Sequence, residues 1–211
     1  MPERRKEQQR SVDTKAALLE AALSAFASFG YDGASTRWIA EQVGVNHNLI
    51  RHHFGNKEDL WKAVARHALS LFNERVRKTQ AAQPDIDSRT AIHLLLREFI
   101  LFQAAMPDFN RFMVQANQGE PERMQWLVYE FSKIGQRIHP STFITARTNV
   151  TIDAEAAAHL RYIFIGAATS IFTYAQTFSA ASGADPFDPA VIERHITIVT
   201  ELFERYQNEQ N

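Results

Sequence analysis

The stretch from Ser35 to Phe54 (Ser-Thr-Arg-Trp-Ile-Ala-Glu-Gln-Val-Gly-Val-Asn-His-Asn-Leu-Ile-Arg-His-His-Phe) constrains the fold more than any other part of the chain. It reads as two short helices joined by a glycine turn. Ser35 or Thr36 can cap the first by accepting a hydrogen bond from an N–H two or three residues on. Ile39, Ala40 and Val43 then recur at helical spacing, and Ala40 is small enough for a second helix to approach closely. Gly44 follows at once, where a left-handed helix stop is preferred. Asn46 can cap the next helix, whose inward residues are Ile50 and Phe54. A helix, a turn of three or four residues and a second helix opening on polar side chains describe a helix-turn-helix.

Nearly everything else also reads as helix. In Asp13–Phe29 the apolar residues Ala16, Leu19, Leu23 and Phe26 recur every three or four positions, and Gly30 ends the run. After Gly55, the cap-like pair Asn56 and Asp59 opens a helix from Lys57 to about Lys78. Ala81–Ser88 is a loop and a candidate domain boundary. Beyond it the sequence predicts helices over Arg89–Ala105, Asp108–Asn117, Glu122–Ile138, Asp153–Ala181 and Pro189–Gln207, punctuated by Met106-Pro107, Gly119-Glu120-Pro121, His139-Pro140 and Ser182-Gly183. Ser141–Thr151, rich in Thr and β-branched residues, reads either as a loop or as a bent helix end. No run alternates at period two, so the expected fold is all-α.

Composition narrows the function classes. The chain has 211 residues and 45% apolar content, enough for a sizeable core. Its formal net charge is −1, so bulk charge announces no nucleic-acid partner and argues against a nonspecific, strongly basic DNA coat protein. Only the first ten residues lean basic, with Arg4, Arg5, Lys6 and Arg10; this segment reads either as a flexible arm on DNA or as a solvated tail. The absence of cysteine excludes disulfides, zinc–thiolate sites and thiol nucleophiles. No signal-peptide pattern and no membrane-length apolar run are present, and the expected location is the cytoplasm. There is no phosphate-binding glycine loop, no Glu-x-x-His carboxylate pattern and no nucleophile motif, so no catalytic residue and no cofactor is expected. His52 and His53 are adjacent on a helix and point about 100° apart, which is poor geometry for one metal ion; no metal site is expected.

Residues Thr14 to Leu60 resemble the TetR/AcrR family of transcriptional regulators. The resemblance rests on Phe26-x-x-x-Gly30-Tyr31, Ser35-Thr36-Arg37-x-Ile39-Ala40, Val43-Gly44-Val45 and Phe54-Gly55-Asn56-Lys57-Glu58-Asp59-Leu60, in the family's order and spacing. It implies an N-terminal three-helix helix-turn-helix DNA-binding domain (residues 11–60) and a C-terminal helical domain for effector binding and dimerisation (residues 61–208). Where the family often has Ser-Lys-Gly at the start of the recognition helix, this chain has Asn46-His47-Asn48, and Arg51-His52-His53 stands where tyrosines are frequent. Those departures touch the DNA sequence that is read, not the packing residues.

The second helix of a helix-turn-helix enters the major groove N-terminus first. Asn46, His47 and Asn48 are therefore expected at base edges or flanking phosphates. Arg51 lies on the face of His47, with His52 beside it. Ser35, Thr36 and Arg37 are placed to hold a phosphate at a helix N-terminus. Lys57 matches the family's phosphate-binding lysine. In the C-terminal part, Phe99, Phe102, Phe112, Trp126, Tyr129, Phe164 and Phe172, with Arg161 as a polar anchor, are candidate walls of an apolar effector pocket, although an aromatic stripe at helical spacing is also what a plain core looks like.

The last two helices, Asp153–Ala181 and Pro189–Gln207, are the expected homodimer interface. Ile163, Gly166, Ala167, Ser170 and Ile171 put small residues among apolar ones. Ile192, His195, Ile196, Val199, Leu202, Phe203 and Tyr206 trace a seam that could equally pack inside one subunit. The expected partners are thus double-stranded DNA with a palindromic operator, a small apolar or aromatic effector and a second copy of the chain, in a repressor released from DNA by its effector. The competing reading is an all-α enzyme or ligand carrier whose helix pair has no DNA role.

Overall fold

The computed structural model describes residues 2–83, 85, 87–135 and 153–209, and among them every regular element is an α-helix. In chain order these are α1 (Pro2–Gly33), α2 (Thr36–Val43), α3 (Asn48–Phe54), α4 (Lys57–Ala82), α5 (Ser88–Ala105), α6 (Pro107–Asn117), α7 (Pro121–Gly135), α8 (Ala154–Thr173), α9 (Ala175–Ser182) and α10 (Pro189–Glu209). The ambiguous stretch Ser141–Thr151 and the end of the helix expected to reach Ile138 lie outside the described residues.

Two expectations are corrected. The basic N-terminal segment is not an irregular arm: α1 already begins at Pro2. Its Arg, Lys, Glu and Gln residues are good helix formers although they carry no apolar period. The predicted helix Asp153–Ala181 is two helices, broken at Tyr174 with φ −107° and ψ 41°. Just before the break, the Thr169 and Thr173 hydroxyls donate to the carbonyls of Ile165 and Thr169, at 2.8 and 3.0 Å. Such back-bonding competes with the helix ladder and bends helices.

The chain packs as two compact units, Met1–Leu71 with Asp108–Glu130, and Phe72–Pro107 with Phe131–Asn211. The expected division at residue 60 is one of roles; the packing units are drawn elsewhere, with α6 and most of α7 grouped with the helix-turn-helix. In this first unit Leu18, Ala22 and Phe26 of α1, Ile39 and Ala40 of α2, Ile50 of α3, and Leu60 and Trp61 of α4 are all buried. Phe112 of α6 joins them, its ring 5.2 Å from Trp61 and 6.4 Å from Phe26. Each large apolar side chain so buried stabilises the unit by about 1.5–3 kcal/mol.

The core of the second unit is a cluster of Leu96 and Ile100 from α5, Phe164, Ala168 and Phe172 from α8, and Ile196 and Val199 from α10. Arg97 of α5 ties to Glu193 of α10 by two hydrogen bonds at the edge of this cluster. Among the described residues, no helix is long and apolar enough to cross a membrane.

Candidate nucleic-acid interface

Caps and a left-handed stop set the geometry of the helix pair. The Ser35 hydroxyl accepts the Trp38 N–H at 3.4 Å and opens α2. Gly44 closes it at φ 71° and ψ 29°, its N–H pointing back to the Ala40 and Glu41 carbonyls. The Asn46 side-chain oxygen accepts the Asn48 N–H at 2.9 Å, and the Asn46 and His47 carbonyls accept the N–H groups of Leu49 and Ile50 at 2.9 and 3.1 Å. Asn46 thus caps α3, as its type and position predict. One buried residue, Ile50, anchors this short helix.

With the inner face fixed, the polar residues are left outside. Asn46, His47, Asn48, Arg51 and His52 are all exposed, as are Ser35 and Arg37 on the neighbouring helix, while Thr36 is half-buried. His53 and Phe54 turn partly inward. Their rings stand 6.0 Å apart, and the Lys15 ammonium of α1 lies 5.8 Å from the centre of the Phe54 ring. Burial, followed by the nearby His52 and Lys15, pushes the His53 pKa down, so this imidazole favours its neutral form. His52 meets His53 edge-on at 5.2 Å.

Lys57 is the most constrained of the predicted residues. It is half-buried, donates to the Asp32 carbonyl at 3.2 Å, and places its ammonium 4.9 Å from the centre of the Tyr31 ring. Its pKa is lowered chiefly by burial; the Asp32 charge opposes this and the Arg123 charge adds to it. The Asn56 side chain accepts the Asp59 N–H at 2.9 Å and sets the start of α4 beside it.

Residues 18–64, the segment holding this constellation, match the family model described as bacterial regulatory proteins, tetR family. This head belongs to the tetR family. Over 65 residues the chain is 40% identical to the HTH-type transcriptional repressor AcnR of Corynebacterium efficiens, covering 31% of this chain and 35% of that protein. Over 79 residues it is 34% identical to the HTH-type transcriptional regulator BetI of Pseudomonas aeruginosa, covering 37% and 40%. The chain therefore spans about a third to two fifths of the length of these relatives.

The full fold is shared more widely. FadR of Bacillus subtilis, solved with stearoyl-CoA, superposes with a TM-score of 0.63 at 17% identity, covering 88% of this chain and 97% of that one. AibR, solved with isovaleryl coenzyme A and operator DNA, gives 0.65 at 17% identity, covering 90% and 97%.

The predicted effector residues are divided between the two units. Phe112, Trp126 and Tyr129 fall in the first unit with the TetR head. Phe112 fills its core, Trp126 packs on Trp61 at 5.9 Å with the Lys62 and Arg66 cations 5.6 and 4.9 Å from its ring centre, and Tyr129 is exposed. Phe99, Phe102, Arg161, Phe164 and Phe172 fall in the second unit. There Phe99 meets Phe164 at 5.3 Å, Phe72 meets Phe102 at 5.3 Å, and Phe172 meets Phe187 at 5.8 Å. Sequence reasoning missed Tyr31 and Arg123 as site-supporting residues. Tyr31 enters the sequence pattern only as the residue after Gly30, and nothing local marks Arg123, which lies far along the chain on α7.

Proposed function

We propose that this chain is a sequence-specific transcriptional repressor that acts as a homodimer in the cytoplasm, binds a palindromic operator, and is released from it by a small apolar or aromatic effector. The carrying observation is the capped, exposed polar start of α3 mounted on the buried core of a TetR head. Asn46, His47, Asn48, Arg51 and His52 would meet base edges or phosphates, and Ser35, Thr36, Arg37 and Lys57 the backbone. The exposed apolar residues of α8 and α10 support self-association, which presents two heads to two half-sites about one helical turn apart. No enzymatic step belongs to this reading.

The effector site is proposed for the second unit, walled by Phe99, Phe102, Phe164 and Phe172 with Arg161 as its polar anchor. The ligands of FadR and AibR make apolar acyl groups, presented as coenzyme A thioesters, the first class to screen. For release, the effector must bind the DNA-incompetent conformer more tightly than the operator-bound one.

The test is selection of duplexes from a random library, followed by fluorescence-anisotropy titration with and without acyl-CoA compounds. A selected palindrome bound far more tightly than scrambled DNA, and released by one of the compounds, is the expected result. Recovery of no enriched sequence would defeat the repressor reading.

A further inference from the structure

Tyr31 is held by groups from three helices. It lies past the kink of α1, where Gly30 takes φ 67° and ψ −178°. Its ring is parallel to that of Phe26, with centroids 6.1 Å apart, and edge-on to Trp61 at 6.5 Å. Two cations then approach the same ring: the Arg123 guanidinium carbon at 3.9 Å from its centre and the Lys57 ammonium at 4.9 Å. All three residues are half-buried, and cation–π attraction is stronger where water is partly excluded.

The α6–α7 corner lies beside this point. A Cβ on Gly30 would stand 3.0 Å from the Gln115 Oε1, and a Cβ on Gly119 would stand 3.7 Å from the Arg123 Nη2. Arg123 thus reaches the ring from the corner that also carries Gln115 and Gly119. Its position on Tyr31 is not driven by attraction to Lys57, because like charges repel.

We infer that Arg123 is a positioning residue for DNA binding: its guanidinium fixes the Tyr31 ring, and the fixed ring with the Asp32 carbonyl holds the Lys57 ammonium in place for a DNA phosphate. An ammonium carries three N–H donors, and the Asp32 carbonyl takes one of them. The remaining donors serve the phosphate from a side chain whose rotamers are already restricted, so less freedom is lost on binding. The inference rests on the reading of Lys57 as a phosphate contact, and it adds that α7, outside the helix-turn-helix, sets how well that contact is made.

A double-mutant cycle tests it. Wild type, Arg123→Gln, Lys57→Gln and the double variant are titrated by anisotropy against one library-selected duplex between about 50 and 200 mM salt. Urea unfolding of each is followed in parallel. Arg123→Gln is expected to weaken binding about three- to tenfold and to move the log–log salt slope toward that of Lys57→Gln, which loses one phosphate contact and so about 0.9 of slope. The double variant should bind no more weakly than Lys57→Gln alone, and Arg123→Lys should bind within about twofold of wild type, since it keeps a cation on the ring. Arg123→Met, which keeps the stem and removes the charge, should repeat the glutamine result and covers the case in which that variant is poorly folded.

Losses that multiply in the double variant would show Arg123 acting independently of Lys57, and unchanged affinity in both Arg123→Gln and Arg123→Met would show it idle; either overturns the inference with DNA binding intact. A wild-type protein that enriches no duplex removes the reading beneath it.

Discussion

The Asn46 side-chain oxygen accepts the backbone N–H of Asn48 at 2.9 Å, so the residue that opens the recognition helix is also its cap. Bidentate reading of adenine needs that same oxygen together with the amide nitrogen. The two uses compete, and the cap holds the oxygen in the free protein. Asn46→Ala should therefore destabilise the protein by about 1 kcal/mol in urea unfolding. Asn46→Ser should restore the stability by capping in its place. If Asn46→Ser also leaves the base preference of a selected operator unchanged, Asn46 acts as a cap; a shifted preference would make it a reader.

His47 and Arg51 stand one helical turn apart and are both exposed. Neither is needed to hold α3, whose anchor is Ile50. Their replacement by alanine should leave the urea midpoint unchanged while costing about 1–3 kcal/mol of discrimination at one operator position each. Repeating the library selection with each variant reads this directly. A uniform loss across all sequences would instead place the residue on the phosphate backbone.

Gly44 isolates backbone strain, whereas Gly30 combines a harsher backbone strain with crowding. Gly44 has φ 71°, and a Cβ built there meets nothing within 4 Å. Gly44→Ala should thus cost only the left-handed penalty, about 1–2 kcal/mol. Gly30 combines φ 67° and ψ −178°, a region that is essentially glycine's alone, with a Cβ that would stand 3.0 Å from the Gln115 Oε1. Gly30→Ala should cost more, about 2–3 kcal/mol or above. Equal costs in urea unfolding would mean both that the Gln115 side chain yields freely and that the Gly30 backbone region strains alanine no more than the left-handed well of Gly44 does.

These glycines also show why the head was legible in the sequence. The Ser35, Asn46 and Asn56 caps, the Gly44 stop and the inward Ile39, Ala40 and Ile50 are all set by neighbours within a turn or two. What escaped was non-local or chemically quiet. Trp61 with Trp126, Arg66 with Glu130 and Tyr31 with Arg123 bring α7 onto the head across tens of residues, and no local pattern encodes such pairs. The break at Tyr174 has neither Gly nor Pro to mark it. The seam on α10 was ambiguous for a related reason: periodicity shows that a face is apolar, not whether its cover comes from the same subunit.

Stability should depend on pH through His195. Its pKa lies below the usual 6.5, chiefly because of burial, with the backbone carbonyls of Ala168 and Ala167 opposing the shift. The Nε2 atom lies 3.4 Å from the Ala168 carbonyl, and Phe172 covers the ring edge-on at 6.0 Å. A depressed folded pKa means that the unfolded chain takes up the proton first as pH falls. The contribution of neutral His195 is then fully present above about pH 7 and is lost progressively below about 6.5, until the folded value is passed. The urea midpoint should fall between about pH 7.5 and 5.5, and His195→Gln should flatten most of that slope. His53, shifted in the same direction, should leave a remainder. The lowered carboxylates Glu58, Glu74 and Glu193 act in a lower window, below about pH 4.5, and do not confuse the measurement. A slope unchanged in His195→Gln would remove His195 as its source.

The helix α10 is apolar on two sides. Ile196 and Val199 are buried in the second unit, whereas Ile198 and Leu202, one turn apart on another face, are 51% and 57% exposed. Ile163 of α8 is 55% exposed. Burying these residues against a second copy would remove apolar surface that a single copy leaves in water. The double variant Ile198→Glu, Leu202→Glu should therefore remain folded, because neither residue supports the core, yet run at half the wild-type mass in light scattering. Its DNA affinity should drop about 10²-fold or more, since one head engages a half-site without the effective concentration supplied by its twin. A wild type that is already monomeric would remove the dimer, and a charged variant that keeps the wild-type mass would place its interface elsewhere; either leaves the apolar face of α10 in need of another cover.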